Sequence, residues 1–279
     1  MALAYPLIDV MDVEAFTPPG RKGWPESALR VAVSGREGSS SSAYHARFRP
    51  GEGLPRHINA GCDEILIHLQ GEGVTRGAAV RPGHCRWVKK GTEHEFRNTG
   101  DTDALVVGFY VGAKDINATG YEFLNEGTEK NTTHTPRTGL VHLDDVPPET
   151  MNKGDGWLIS DFRLPFGAHN GCASTLFRAR FFPGAVHKKH RHENCEEIYY
   201  VISGHGLAGA GDDRVEVRGG HFHYIPKGVE HWLHNLSETE PIEVVGIYIN
   251  SGSVAETGYV YTGDVTDDDL SCVSELPKC

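Results

Sequence analysis

No two of the six cysteines (Cys62, Cys85, Cys172, Cys195, Cys272, Cys279) stand in a CxxC pair, so the sequence offers neither a zinc knuckle nor a dithiol redox motif. Reduced thiols are the expectation. No stretch approaches the ~18 apolar residues that a membrane-spanning helix needs. The opening MALAYPLIDVMDVEAF places acids where a signal peptide carries a basic segment and a long apolar core. No membrane partner is expected, and the expected compartment is cytoplasmic. A basic surplus is also missing: 27 Lys and Arg face 38 Asp and Glu, for a formal net charge of -11. Affinity for nucleic acid comes largely from basic side chains displacing counterions, so a nucleic-acid partner is not expected either. Long runs of 3.6-residue periodicity are absent, which argues against a helical architecture.

What is present is turn chemistry and repetition. The 34 glycines and 15 prolines supply the backbone angles of tight connections. Between them lie short runs such as STLFRARFF, EEIYYVISG, DRVEVRG and IEVVGIYI, whose number and spacing point to antiparallel sheets closed into a sandwich or barrel. An offset of 133 aligns the chain with itself from Leu7 against Leu140 to Gly71 against Gly204. HARFRPG (45–51) then falls on RARFFPG (178–184), and CDEILIHLQGEG (62–73) on CEEIYYVISGHG (195–206). Past a turn the offset becomes 137, placing GHCRWVKKGTEHEFRN (83–98) on GHFHYIPKGVEHWLHN (220–235). The exit segments NATGYEF (117–123) and AETGYVY (255–261) echo each other as well. These matches imply two homologous domains, 1–135 and 136–279, joined near the polar connector NTTHTPRTG (131–139).

In the second copy His190 and His192 stand two apart, so an extended strand sends both side chains to one face. Glu197 can join them from the next strand, and His231 can return beside them through a meander. Three imidazoles and one carboxylate suit iron, manganese, nickel, cobalt or zinc and do not suit calcium. The spacing Gly184-x5-His190-x-His192-x4-Glu197-x6-Gly204, followed by Gly220-x5-Pro226-x-Gly228-x2-His231-x3-Asn235, resembles the two cupin motifs with every specified position filled. The chain therefore resembles a bicupin. That resemblance implies an all-β fold of two tandem double-stranded β-helix (jelly-roll) barrels, with a divalent transition metal held by His190, His192, Glu197 and His231 in the C-terminal domain. Iron leads among the metals, with manganese, nickel or zinc as alternatives.

The first copy departs from the pattern. His57, Glu64 and His94 match, but Asn59 replaces the second histidine and Lys89 the motif proline. An amide oxygen is a weak ligand for these metals, so a possible second site at His57, Asn59, Glu64 and His94 is left open, and Asn59→His is expected to strengthen it. His187, His205, His221, His223 and His234 crowd the second motif without an assigned place, as surface residues or supports of the ligands.

Arg178 and Arg180 alternate with Phe177, Ala179 and Phe181, and one of these faces must meet the barrel interior. An inward arginine face would make these two a substrate clamp; burial preference favours the aromatic face. Tyr199 and Val201 alternate with Glu197 and are expected to line the pocket. The acidic segment 263–272 reads as a solvated extension or lid.

By family resemblance the leading expectation is a non-haem Fe(II) dioxygenase acting on a small oxygen-bearing organic substrate. Two alternatives stay open: a non-oxidative decarboxylase, isomerase, lyase or amidohydrolase using Mn, Ni or Zn, and a non-catalytic small-molecule binder. Catalytic residues beyond the metal ligands are not assigned. A homodimer through exposed sheet edges is a further possibility.

Overall fold

The computed structural model describes residues 5–26, 28–125, 138–150, 159 and 161–271. Strands make up nearly all of its regular structure; one five-residue α-helix, Asp267–Ser271, is present among the described residues. The connector segment 131–137, Cys272 and Cys279 lie outside those residues.

Each compact unit is a six-stranded sheet facing a five-stranded one, and the strand orders of the two units correspond one to one. In the second barrel the larger sheet runs Leu7–Asp9, His221–Ile225, Glu197–Ser203, Ile242–Tyr248, Thr175–Phe181, Asp161–Phe166. The smaller runs Asp213–Arg218, His205–Ala210, His231–His234, Val186–His192, Tyr259–Gly263. The first barrel repeats this with Thr138–His142 at the edge of its larger sheet, beside His84–Val88 and Asp63–Gln70. All pairings between neighbouring strands are antiparallel, as a jelly roll requires.

The expected boundary between residues 135 and 136 is corrected by these edge strands. Leu7–Asp9 pairs with His221–Ile225, and Thr138–His142 pairs with His84–Val88. The units are thus 13–145 and 1–12 plus 146–279. The first strand of each sequence repeat completes the sheet of the other repeat. Such a strand satisfies a row of backbone groups that would otherwise stand open at a sheet edge. Sequence similarity marks the repeats but carries no record of which edge each opening strand pairs with.

The faces of the strand Thr175–Phe181 follow apolar burial. Phe177, Ala179 and Phe181 enter the second core with Tyr199, Val201 and Val244. Inverting the strand would desolvate two guanidinium groups, at several kcal/mol each. It would also forfeit about 2–3 kcal/mol for each large apolar side chain exposed. Arg178 and Arg180 accordingly point to the other face. Arg178 meets Asp161 at 2.6 Å and Glu243 at 3.0 Å, and Arg180 lies 3.8 Å from Glu243. No helix among the described residues is long and apolar enough to cross a membrane.

Candidate metal centre

The second barrel brings its four motif residues together between its two sheets. His190 and His231 are direct partners across the smaller sheet, while Glu197 faces them from the larger one. A register shift between His187 and His190 breaks the strand's alternation just before the first ligand, and the first barrel has the same shift between Leu54 and His57. Such irregularities re-aim side chains. One candidate ligand atom from each of His190, His192, Glu197 and His231 lies within 4.8 Å of the others, and all four residues are buried.

The imidazoles are oriented by the chain itself. His190 Nδ1–H donates to the Lys188 carbonyl at 2.7 Å, and His231 Nδ1–H donates to the Val229 carbonyl at 3.0 Å. A carbonyl can only accept, so in each neutral ring Nε2 carries the lone pair. His231 Nε2 and His192 Nε2 each stand 3.1 Å from Glu197 Oε2, and His190 Nε2 is buried with no hydrogen-bond partner. The His231 lone pair facing a carboxylate oxygen at that distance calls for a positive charge between them, a proton or a metal ion. A divalent ion fits this donor set, and the chemistry of three nitrogens with one carboxylate matches borderline transition metals. Burial pushes His190 well below the ordinary histidine range, as does the charge of His187; burial likewise lowers His192. Burial alone would raise the Glu197 carboxyl; when His192 and His231 carry their extra protons, their hydrogen bonds and charge hold it well below the usual carboxylate range.

Around the cluster lies a cavity of about 30 Å³, lined by apolar side chains such as Phe177, Phe181 and Val244 and by Tyr199 and His187. At ~10–15 Å³ for each water, it has room for two or three. Tyr199 hydroxyl and His223 Nδ1 share a hydrogen bond of 2.8 Å, and burial raises the phenol and pushes the imidazole down to about 3, so both are neutral at physiological pH.

The sequence-level candidates separate here. Tyr199 stands at the cavity wall as expected, whereas Val201 packs in the core. Arg178 and Arg180 do not reach the cavity, because their partners are Asp161 and Glu243 on the opposite sheet face. His187, unassigned by the motif, stacks on His190 with ring centroids 3.8 Å apart. Tyr259 stacks on His190 at 5.0 Å, and Tyr121 lies tilted against His57 at 4.7 Å. The duplicated TGY of the exit segments was the signal for this pair of tyrosines.

The acidic segment is also corrected. Asp269 is buried and ion-pairs with Lys189 at 2.7 Å and Arg214 at 2.8 Å, while Asp264 pairs with Lys188 at 2.5 Å. Lys188 and Lys189 belong to the strand that carries His190 and His192, so the segment clamps that strand. Asp269→Ala leaves two cations without their shared partner and is expected to cost about 2 kcal/mol, less than a fully buried pair. Urea unfolding measures it.

The first barrel does not assemble the same centre. Its His57, Glu64 and His94 do not form a converging group of ligand atoms of the kind found in the second barrel. His94 Nε2 is 2.9 Å from Glu64 Oε2, Tyr44 hydroxyl donates to Glu64 Oε1, and Asn59 Nδ2 lies 3.5 Å from His94 Nε2.

Two antiparallel jelly-roll barrels, each carrying the paired motif around a facing-sheet glutamate, define the class, and comparison with known proteins agrees. The Cupin domain family matches residues 44–110 and 177–248. The chain belongs to the cupin family and is a bicupin. An uncharacterized protein of Methanocaldococcus jannaschii is 30% identical over 91 residues, which is 33% of this chain and 71% of that protein. Among solved structures, Bacillus subtilis oxalate decarboxylase, described with Mn(II) centres, superposes with a TM-score of 0.68 at 16% identity, covering 94% of this chain and 80% of that one. Lactobacillus farciminis oxalate decarboxylase, in a formate complex, gives 0.67 at 14% identity, covering 94% and 89%. At these identities the likeness establishes the fold.

Proposed function

We propose that the second barrel is the active site of a metal-dependent enzyme that acts non-oxidatively on a small organic acid, with decarboxylation as the leading reaction. The observation that carries this reading is the convergence of His190, His192, Glu197 and His231 on one point beside a small, mostly apolar cavity. These four residues would hold the ion. When bound, a divalent metal supplies a Lewis acid that polarises a carboxylate or carbonyl oxygen. Phe177, Phe181 and Val244 keep bulk water from the reacting acid, which strengthens every electrostatic contact there. The cavity's size limits the substrate to a few heavy atoms. Tyr199 keeps a proton on a hydroxyl that His223 orients at the cavity wall, a proton available to a carbon or oxygen that gains negative charge.

Iron and oxygen chemistry led the reading of the sequence. The non-oxidative alternative replaces it because the structural relatives named above are decarboxylases, one of them described with Mn(II). The test is carbon dioxide release under nitrogen by protein loaded with Mn(II), Co(II), Zn(II) or Fe(II), across a panel of small dicarboxylic, 2-oxo and 2-hydroxy acids. Turnover that consumes oxygen stoichiometrically, or no turnover with any acid, would sink the reading. Tyr199→Phe removes the proton and leaves the ring. It is expected to lower kcat at least ~10-fold, below the full worth of a general acid because His223 and water remain. Metal content should not change.

A further inference from the structure

The two barrels differ around one carboxylate. Glu64 stands where the second barrel has Glu197, and four neighbouring positions change together: Tyr44 for Phe177, Asn59 for His192, Thr75 for Ala208, and Arg86 for His223. Tyr44 lies against Gly108, where an added Cβ would come 2.4 Å from its hydroxyl, and that close approach lets the hydroxyl reach Glu64 Oε1. His94 Nε2 stands 2.9 Å from the other oxygen, with its Nδ1–H donating to the Thr92 carbonyl. Arg86, only 4% exposed, lines the same cavity as Glu64. Its Nη1 donates to Thr75 Oγ1 and to the Glu95 carbonyl at 3.1 Å, and Thr75 itself donates to that carbonyl at 2.7 Å. In the second barrel Ala208 has no hydroxyl to anchor a guanidinium, and Phe177 has none to occupy the glutamate.

A guanidinium does not lose its proton in proteins. Its charge is permanent, and in a buried cavity it is poorly screened, so an incoming divalent ion meets both a fixed cation and a glutamate one of whose oxygens the Tyr44 hydroxyl already occupies. We infer that the first barrel excludes a metal and that Arg86, anchored by Thr75, is the built-in cation of that barrel, balancing Glu64. Burial alone would raise the Glu64 carboxyl; the hydrogen bond and charge of His94, then Arg86 and the Tyr44 hydroxyl, bring it down to about 2. Asn59 is therefore one of several substitutions that close the site, and restoring a histidine there is not enough to reopen it. On this inference Asn59→His does not strengthen the site, a departure from the expectation drawn from the motif alone.

The exclusion stands whether or not the second barrel holds metal, and the test separates the two. In a Glu197→Gln background, any metal retained after loading with Mn(II), Co(II) or Zn(II) and gel filtration belongs to the first barrel. Elemental analysis is expected to find none in that background and none after Asn59→His. About one ion per chain is expected once Tyr44→Phe, Thr75→Ala and Arg86→His are added. A stoichiometric ion before Arg86 is changed overturns the inference, as does a folded multiple variant without metal. A second measurement covers failure of that variant to fold. Arg86→Met strands a buried carboxylate and is expected to lower Tm by about 5 °C or more. Adding Glu64→Gln is expected to restore most of the loss. An unchanged Tm in Arg86→Met, or no recovery in the pair, also overturns it.

Discussion

Glu197→Gln is expected to fold and to lose its second-barrel metal, with affinity falling by more than ~100-fold. Mutation of residues that merely support ligands costs about 10–100-fold, and a charged ligand is worth more. Glu197 is the single anion facing three imidazoles, and its Oε2 is the atom on which His192 and His231 converge. The amide keeps the side chain's shape and removes its charge, so the variant separates metal binding from packing. Parent protein should gain Tm on addition of Mn(II), because a ligand that binds only the native state stabilises it by mass action. The variant's Tm should stay flat across the same titration, and its turnover should fall with its metal content. His231→Ala is expected to behave alike, with some added loss of stability from the space it leaves. A variant that keeps stoichiometric metal would refute the assignment of the four ligands.

Acid should unfold the metal-free protein well above the carboxylate range. His68, His187 and His223 are buried, and burial pushes each of them down to about 3. The same residues titrate near 6.5 in an unfolded chain. Between those values the unfolded chain binds more protons, so stability is complete above about pH 6.5 and declines as pH falls toward 3. At pH 5 each group has given up about 2 kcal/mol, so the second barrel, with His187 and His223, loses about 4 kcal/mol, a large share of the stability of an ordinary domain, and the first barrel about 2 kcal/mol through His68. Glu64, held near 2, loses its contribution only below about pH 4.5, so the histidines govern the earlier window. Thermal melts of chelated protein between pH 8 and pH 4.5 are expected to show a steep fall beginning near pH 6.5. His223→Gln should reduce the slope. A Tm that is level from pH 7.5 to pH 5 would contradict this.

Much of the site was legible because its chemistry is a matter of spacing. A residue two along on a strand returns to the same face, so His190 and His192 had to share a side wherever that strand lay. The repeat gave a second reading of each motif position, which is why Asn59 stood out. Bulges, by contrast, leave no compositional mark, and the one before His190 turns His187 inward to stack on it.

By itself the sequence determined the all-β class, the duplication and the four residues that meet in the second barrel, because strand periodicity and motif spacing are local properties of a chain. Tertiary structure decided what depends on partners distant in sequence. It placed Leu7–Asp9 and Thr138–His142 in each other's repeat and turned Arg178 toward Asp161 and Glu243, away from the cavity. It fastened Asp269 to Lys189 and Arg214 and set Arg86 in one cavity with Glu64. Each of these is a charge or a backbone edge finding its complement, and the complement lies tens to hundreds of residues away in most cases.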